Sequence, residues 1–201
     1  DEYDAAFFDK RAKFVHYRPQ TLLINNLEFD HADIYNNLDD ILWQFHQLMR
    51  TLPPNGRVVI NDGDANVKRI IEQGCWTPIE RFSITGDADW TGRFVDKGER
   101  HIFLSQGESN AEALWKLGGG HNLENAVAAV AAASSAGVPL DNAVDALSRF
   151  DGVKRRMERT ATVSDVVLYD DFAHHPTAIS KSIAGMKKRF PSDRLVVALE
   201  L

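Results

Sequence analysis

Two acids, two imidazoles and a Pro-Thr helix start fall within nine residues, Tyr169-Asp170-Asp171-Phe172-Ala173-His174-His175-Pro176-Thr177. The segment directly follows an apolar run that reads as a strand. The carboxyl ends of strands are where α/β proteins present groups to ligands. A structural turn needs an Asp or a Pro, and Asp-Asp together with His-His exceeds that requirement. One chemistry open to Asp170, Asp171, His174 and His175 is metal-dependent hydrolysis. Adjacent histidines point in different directions unless the backbone bends, which weighs against joint ligation.

A second group follows an early strand: Asn25-Asn26-Leu27-Glu28-Phe29-Asp30-His31-Ala32-Asp33. Glu28, Asp30, His31 and Asp33 can take a divalent cation or a phosphate-bound water. Mg²⁺ prefers oxygens and leans on substrate phosphates, whereas an imidazole also suits Zn²⁺ or Mn²⁺. The same residues would serve a polar turn with Asp33 capping a short helix.

The third group is Gly118-Gly119-Gly120-His121-Asn122-Leu123-Glu124-Asn125. Glycines let a ligand approach the backbone, and a helix start offers free N–H groups to anions. Asn122 and Asn125 are three apart, so both amides lie along one helix face, and an amide can donate to and accept from a purine edge. A glycine loop with Asn122 as N-cap is the plainer alternative. Lys154-Arg155-Arg156-Met157-Glu158 is the fourth group, where adjacent arginines could clamp a phosphate or simply form a solvated surface.

Helices and strands must position these groups. Phe14-Val15-His16 and Thr21 to Asn25 read as short strands, Leu38 to Leu52 as a helix, and Arg57 to Asn61 as a buried strand. A helix is expected from Asn66 to Gln73, and a β-rich stretch from about Ile79 to Ser105 with a hairpin turn at Lys97-Gly98. Helices are expected over Asn122 to Ala136, Pro139 to Arg149 and Pro176 to Arg189. Thr160 to Val163, Val166 to Tyr169 and Leu195 to Leu199 read as strands, and Asp151-Gly152-Val153 as a linker. Alternation of this kind predicts an α/β fold with a mostly parallel sheet.

The 201 residues suffice for one large or two small domains, with 44% apolar and 26% charged residues, as in an ordinary globular protein. A net charge of −6 argues against a nucleic-acid binder that works by phosphate neutralisation. No apolar run approaches the roughly 18 residues that span a bilayer, and the first residues lack a secretory leader's pattern. The lone Cys75 fits a reducing compartment and reads as a buried, inert thiol. Cytoplasmic location is the expectation. The chain opens on Asp1-Glu2-Tyr3-Asp4 without Met and closes inside an apolar run, which reads as a piece of a longer protein. It contains no G-x-x-x-x-G-K-[ST] loop, no G-x-G-x-x-G, no C-x-x-C and no G-x-S-x-G.

Taken in order, the N-L-E-F-D-H-A-D run, the G-G-H-N-x-x-N helix start, the G-V-K-R-R-M-E linker and the D-D-F-A-H-H-P-T loop resemble the Mur ligases of peptidoglycan synthesis. Two branches share that last loop: the muramate–alanine ligases and the recycling ligases that attach murein tripeptide to UDP-N-acetylmuramate. The Asp-Glu-Tyr-Asp start, Ala-Phe-Phe-Asp-Lys-Arg and Phe172-Ala173 look more like the recycling branch.

The resemblance implies ATP and Mg²⁺ as cofactors and UDP-N-acetylmuramate and murein tripeptide as partners. It implies His31 as the imidazole ligand of a Mg²⁺, and Asn122 and Asn125, beside His121, on the adenine side of ATP. It places Arg156 on the phosphates, Asp171 on the ribose, and His174 and His175 near the substrate cleft. It further implies a mixed, mostly parallel ATPase-type central domain with a β-rich insertion over residues 1 to 152. The start of a Rossmann-like domain would follow over 153 to 201. The family's phosphate loop would lie upstream of Asp1, as would its metal-binding Glu, with Glu2 a weak candidate for that role. Such a piece is expected to be inactive alone. A non-catalytic nucleotide-binding module is the alternative from another class.

Overall fold

The computed structural model describes residues 2–199; Asp1, Glu200 and Leu201, the last two of the apolar terminal run, lie outside it. A small hairpin, β1 (Asp4–Ala6) and β2 (Asp9–Ala12), precedes β3 (Thr21–Ile24), α1 (Leu38–Met49), β4 (Arg57–Asn61) and α2 (Ala65–Glu72). Next come β5 (Ile79–Ser83), β6 (Trp90–Phe94), β7 (His101–Gln106), β8 (Ser109–Leu114), α3 (Gly120–Ser135) and α4 (Leu140–Ser148). The chain continues with β9 (Glu158–Val163), β10 (Val166–Asp170) and α5 (Pro176–Arg189).

One six-stranded sheet runs β3-β4-β5-β6-β7-β8. Its first three pairings are parallel and its last two antiparallel, so the β-rich stretch continues the main sheet as an antiparallel edge. Val58, Val59 and Ile60 of β4 are all fully buried, because both faces of this strand are covered. Val59 packs with Phe82, Trp90 and the α3 residues Leu123 and Val127. Val58 and Ile60 point the other way, into a cluster with Ile41 and Leu42 of α1 and Val67 and Ile70 of α2. The sheet is thus sandwiched between α3 on one face and the α1–α2 pair on the other. Gly92 lets α3 sit close: a Cβ there would lie 2.4 Å from Val127 Cγ2.

Capping side chains stitch the helices to the loops that matter. Asn37 accepts from Asp40 N–H to start α1. Asp64 caps α2 through Asn66 and Val67 N–H, and its second oxygen accepts the Leu27 N–H. Asn66 in turn donates to the Leu27 carbonyl at 2.8 Å, so the α2 start fixes the loop that follows β3.

Two expected strands are absent. Phe14-Val15-His16 lies in a 3-10 turn, Lys13–His16. Consecutive Phe14 and Val15 are both buried with Leu48, whereas a strand would send them to opposite faces. Leu195 to Leu199 is exposed and irregular. Among the described residues β10 pairs only with β9, so this run has no strand beside it to satisfy its backbone. Cys75 is half-buried; its thiol donates to Thr77 O at 3.2 Å, and burial raises its pKa, as an unreactive thiol requires. Among the described residues, no helix is long and apolar enough to cross a membrane.

Candidate functional site

A cleft of about 1600 Å³ opens where the loop after β3, the glycine loop before α3, residues 152–157, the loop after β10 and α5 meet. All four groups singled out in the sequence contribute to its wall.

His31 sits at the first of these. Its φ of 56° is in the left-handed region, rare for a residue with a side chain, and its carbonyl accepts from both Ile34 and Tyr35 N–H. The ring stands edge-on to Tyr3 at 4.8 Å, with Nε2 3.6 Å from the Glu2 carboxylate. Asp30 accepts the His31 N–H. Asp33 caps no helix; it sits by the Tyr3 hydroxyl, whose pKa is raised by burial and then by Asp33. Glu28 is turned toward α5, accepting from Thr177 Oγ1 at 2.6 Å. The four offered cation donors therefore separate, and Glu2 joins His31 instead. Among the described residues, no three His, Cys, Asp or Glu side chains converge on one point as a metal cage.

The glycine loop begins α3 at Gly120, with Gly119 as N-cap. Gly119 has a φ of 96°, and a Cβ on it would meet the His121 ring at 3.0 Å. Only glycine fits there. Its N–H donates to Glu99 Oε2 at 2.6 Å. Asn122 is not the cap: its amide donates back to the Gly118 carbonyl at 2.8 Å. Asn125 accepts from the Asn25 amide at 2.5 Å, tying α3 to the end of β3; Asn25 Oδ1 is buried without a partner among the described residues. His121 is held below its ordinary pKa by burial first and by the neighbouring Lys181 second.

The two arginines divide their labour. Arg155 is tied down: its N–H bonds Glu158, its carbonyl accepts the Phe172 N–H at 2.7 Å, and its Nε lies 3.4 Å from Asp170. Its guanidinium also lies over the Phe172 ring, 4.9 Å from the centroid. Arg156 sits farther from that ring, at 5.9 Å, has no carboxylate partner among the described residues, and lines the cleft.

After β10, Asp171 accepts from Ala173 N–H and from Ser182 Oγ, so its loop and α5 orient the carboxylate. His174 is exposed, with Nδ1 3.0 Å from the Phe172 carbonyl. His175 is the N-cap of α5: Nδ1 accepts the Thr177 N–H, and Nε2 lies 3.3 Å from the Phe29 carbonyl. The same Nδ1 lies 3.4 Å from the Glu28 carboxylate. These two histidines thus have different surroundings: among the described residues His175 bonds across the cleft and His174 bonds only within its own loop.

Sequence reasoning missed three residues: Glu99 in the β6–β7 turn, and Lys181 and Lys188 on α5. Lys181 was within reach, since Ala178, Lys181, Ser182 and Gly185 form an i, i+3, i+4 stripe that lines the cleft. Nothing local marks Glu99.

The pattern of the Mur ligase middle domain matches residues 5–133, and that of the Mur ligase glutamate ligase domain matches residues 155–200. The UDP-N-acetylmuramate–L-alanyl-γ-D-glutamyl-meso-2,6-diaminoheptandioate ligase of Escherichia coli is 43% identical over 199 residues, covering 99% of this chain and 43% of the relative. A UDP-N-acetylmuramate–L-alanine ligase of Desulfitobacterium hafniense is 34% identical, over 97% of this chain and 43% of its own. The crystal structure of a murein peptide ligase from Psychrobacter arcticus superposes with a TM-score of 0.77 at 41% identity, covering 96% of this chain and 40% of that one. The chain spans about two fifths of the length of these relatives. With one family pattern covering well over half of its residues and a relative 43% identical along 99% of its length, this chain belongs to the Mur ligase family.

Proposed function

We propose that this chain is the ATP-side portion of a cytoplasmic cell-wall recycling ligase that joins L-alanyl-γ-D-glutamyl-meso-diaminopimelate to UDP-N-acetylmuramate. Residues 1–152 would be most of the central domain without its phosphate loop, and 153–201 the start of the C-terminal domain. The observation that carries this reading is the convergence of His31, Asn122, Asn125, Arg156 and Asp171, drawn from four separate segments, on one cleft. The name of the relative at 43% identity and that of the murein peptide ligase at 41% support the tripeptide as the amine.

In the reaction, the lactyl carboxylate takes the γ-phosphoryl group of ATP with release of ADP; the tripeptide amine then attacks the acyl phosphate, and the amide forms as phosphate leaves and the amine gives up a proton. The residues present fit the two cofactors. A cleft of about 1600 Å³ accommodates a nucleotide with a second substrate. Glu2 and His31 offer one carboxylate and one imidazole. That donor set suits a Mg²⁺ that takes its remaining ligands from water and phosphate. When bound, the ion neutralises charge on phosphoryl oxygens. Arg156 supplies a fixed cation to the same oxygens, and such preorganised charge is what lowers the barrier. Asp171, already oriented by Ser182 and Ala173, can accept from ribose hydroxyls with its remaining lone pairs. Asn122 and Asn125 serve the adenine, with His121 kept neutral beside them. His174 and His175 flank the substrate side.

The test is ADP release by the full-length protein with UDP-N-acetylmuramate and Mg²⁺, offering murein tripeptide in one reaction and L-alanine in another. Turnover with tripeptide alone supports the proposal. Turnover with L-alanine alone moves the assignment to the muramate–alanine branch, which the 34% relative favours. ATP binding without turnover in either leaves a nucleotide-binding module.

A further inference from the structure

α5 is held at both ends and buried nowhere. None of its residues is fully buried; Ile179, Ile183 and Met186 are half-buried, and the contacts that tie its two ends across the cleft are polar. At its start, Thr177 and His175 reach Glu28 and the Phe29 carbonyl of the loop after β3. In its last turn, the Lys188 ammonium pairs with the Glu99 carboxylate of the β6–β7 turn. The helix is about 20 Å long at 1.5 Å per residue, and Lys181, Ser182 and Gly185 line the cleft between the two anchors.

Glu99 does a second job. Its side chain is only 14% exposed, and the oxygen not facing Lys188 accepts the Gly119 N–H. Burial alone would raise its pKa; Lys188 and the Gly119 N–H more than offset this and leave it below the usual carboxylate value. One carboxylate therefore holds both the far end of α5 and the backbone of the glycine loop.

We propose that Glu99 is a positioning residue that couples the seating of α5 over the cleft to the placement of the glycine loop, with Lys188 as its partner. What the cleft holds rests on the ligase reading above. The coupling follows from geometry: when α5 lifts, Lys188 leaves, and the carboxylate is freed to turn away from Gly119. Seating α5 thus tightens the loop on which the adenine-side amides stand.

The two jobs can be separated in the full-length protein. Glu99→Gln keeps an acceptor for Gly119 but loses the charge pair, as does Lys188→Met from the other side. Glu99→Ala loses both. The double variant Glu99→Lys with Lys188→Glu restores the pair but not the acceptor.

Spin labels at exposed Asn110 and Ser192, read by pulsed electron resonance without nucleotide, report the seating of α5. The distance distribution should broaden in the first three variants and narrow again in the charge swap. With nucleotide, Glu99→Gln and Lys188→Met should lower kcat by about fivefold, the upper end for an ion pair with one partner exposed. Glu99→Ala and the swap should in addition raise the KM for ATP by about tenfold, the loss of a charged hydrogen bond. An unchanged distribution in Lys188→Met, a swap that stays broad, or equal ATP KM values in Glu99→Ala and Glu99→Gln would overturn the proposal. Thermal melting confirms that each variant folds. A wild-type protein that releases no ADP would refute the ligase reading alone, since the distances are measured without it.

Discussion

Adjacent side chains with the same charge can have opposite duties, and Arg155 and Arg156 show how. Arg155 is committed to Asp170 and the Phe172 ring, whereas Arg156 lines the cleft without a carboxylate. Arg156→Ala should therefore lower turnover by about 10²- to 10³-fold, the range for losing one preorganised charge-stabilising group. Calorimetric binding of UDP-N-acetylmuramate should be unchanged, and near-normal turnover would remove Arg156 from the phosphates. His121 carries a pH prediction. Its folded pKa lies below the ordinary 6.5 because of burial and Lys181. The unfolded chain therefore binds that proton more readily, so the stability from the neutral ring is full above 6.5 and is lost as pH falls toward the folded value. The stability advantage of wild type over His121→Gln should shrink through that window in urea titrations. A pH-independent difference would contradict it.

At the scale of elements, a close approach decides how α3 meets the sheet. Gly92 leaves room for Val127, and a methyl group there would lie 2.4 Å from Val127 Cγ2. Gly92→Ala should cost about 1–3 kcal/mol, as overpacked cores do. Combining it with Val127→Ala should cost less than the sum of the two single changes, because the second removes the atom that the first strikes. Strict additivity in denaturant unfolding would show that the contact is not the cause. Elements that obey one clear period were legible beforehand: the α1 stripe, the β4 run and the alanine-rich α3. Phe14-Val15-His16 was not, since a short run led by two β-prone residues looks alike whether it extends or turns, and only burial of both Phe14 and Val15 against Leu48 chooses.

For the whole molecule, the share of its relatives that the chain spans bears on what it can do alone. The chain covers about two fifths of its relatives and holds no phosphate-loop motif. The isolated 201 residues should therefore show no ATP turnover with UDP-N-acetylmuramate and either amine, by coupled ADP assay. Measurable turnover would mean that the cleft described here suffices for phosphoryl transfer, contrary to the proposal. The molecule also shows how two separate sheets come to share one site. Among the described residues the six-stranded sheet and the β9–β10 pair make no ladder with each other, and polar contacts from α5 reach the loops of the larger sheet. Such exposed polar bridges can break and reform, as the coupling proposed for Glu99 requires.

The sequence by itself determined the chemistry available and its order: four motif groups, their residue types and the helices and strands beside them. Those are local properties, written in periodicity, turn residues and spacing. Tertiary structure decided which members of each group face the cleft. It sent Glu28 to Thr177 rather than to a cation, brought Glu2 to His31, separated Arg156 from Arg155, and enlisted Glu99 from a hairpin turn. The physical reason is that such a choice depends on what lies opposite a side chain across the fold. Glu99 meets Gly119 20 residues on and Lys188 89 residues on, and no local pattern in the sequence encodes either encounter.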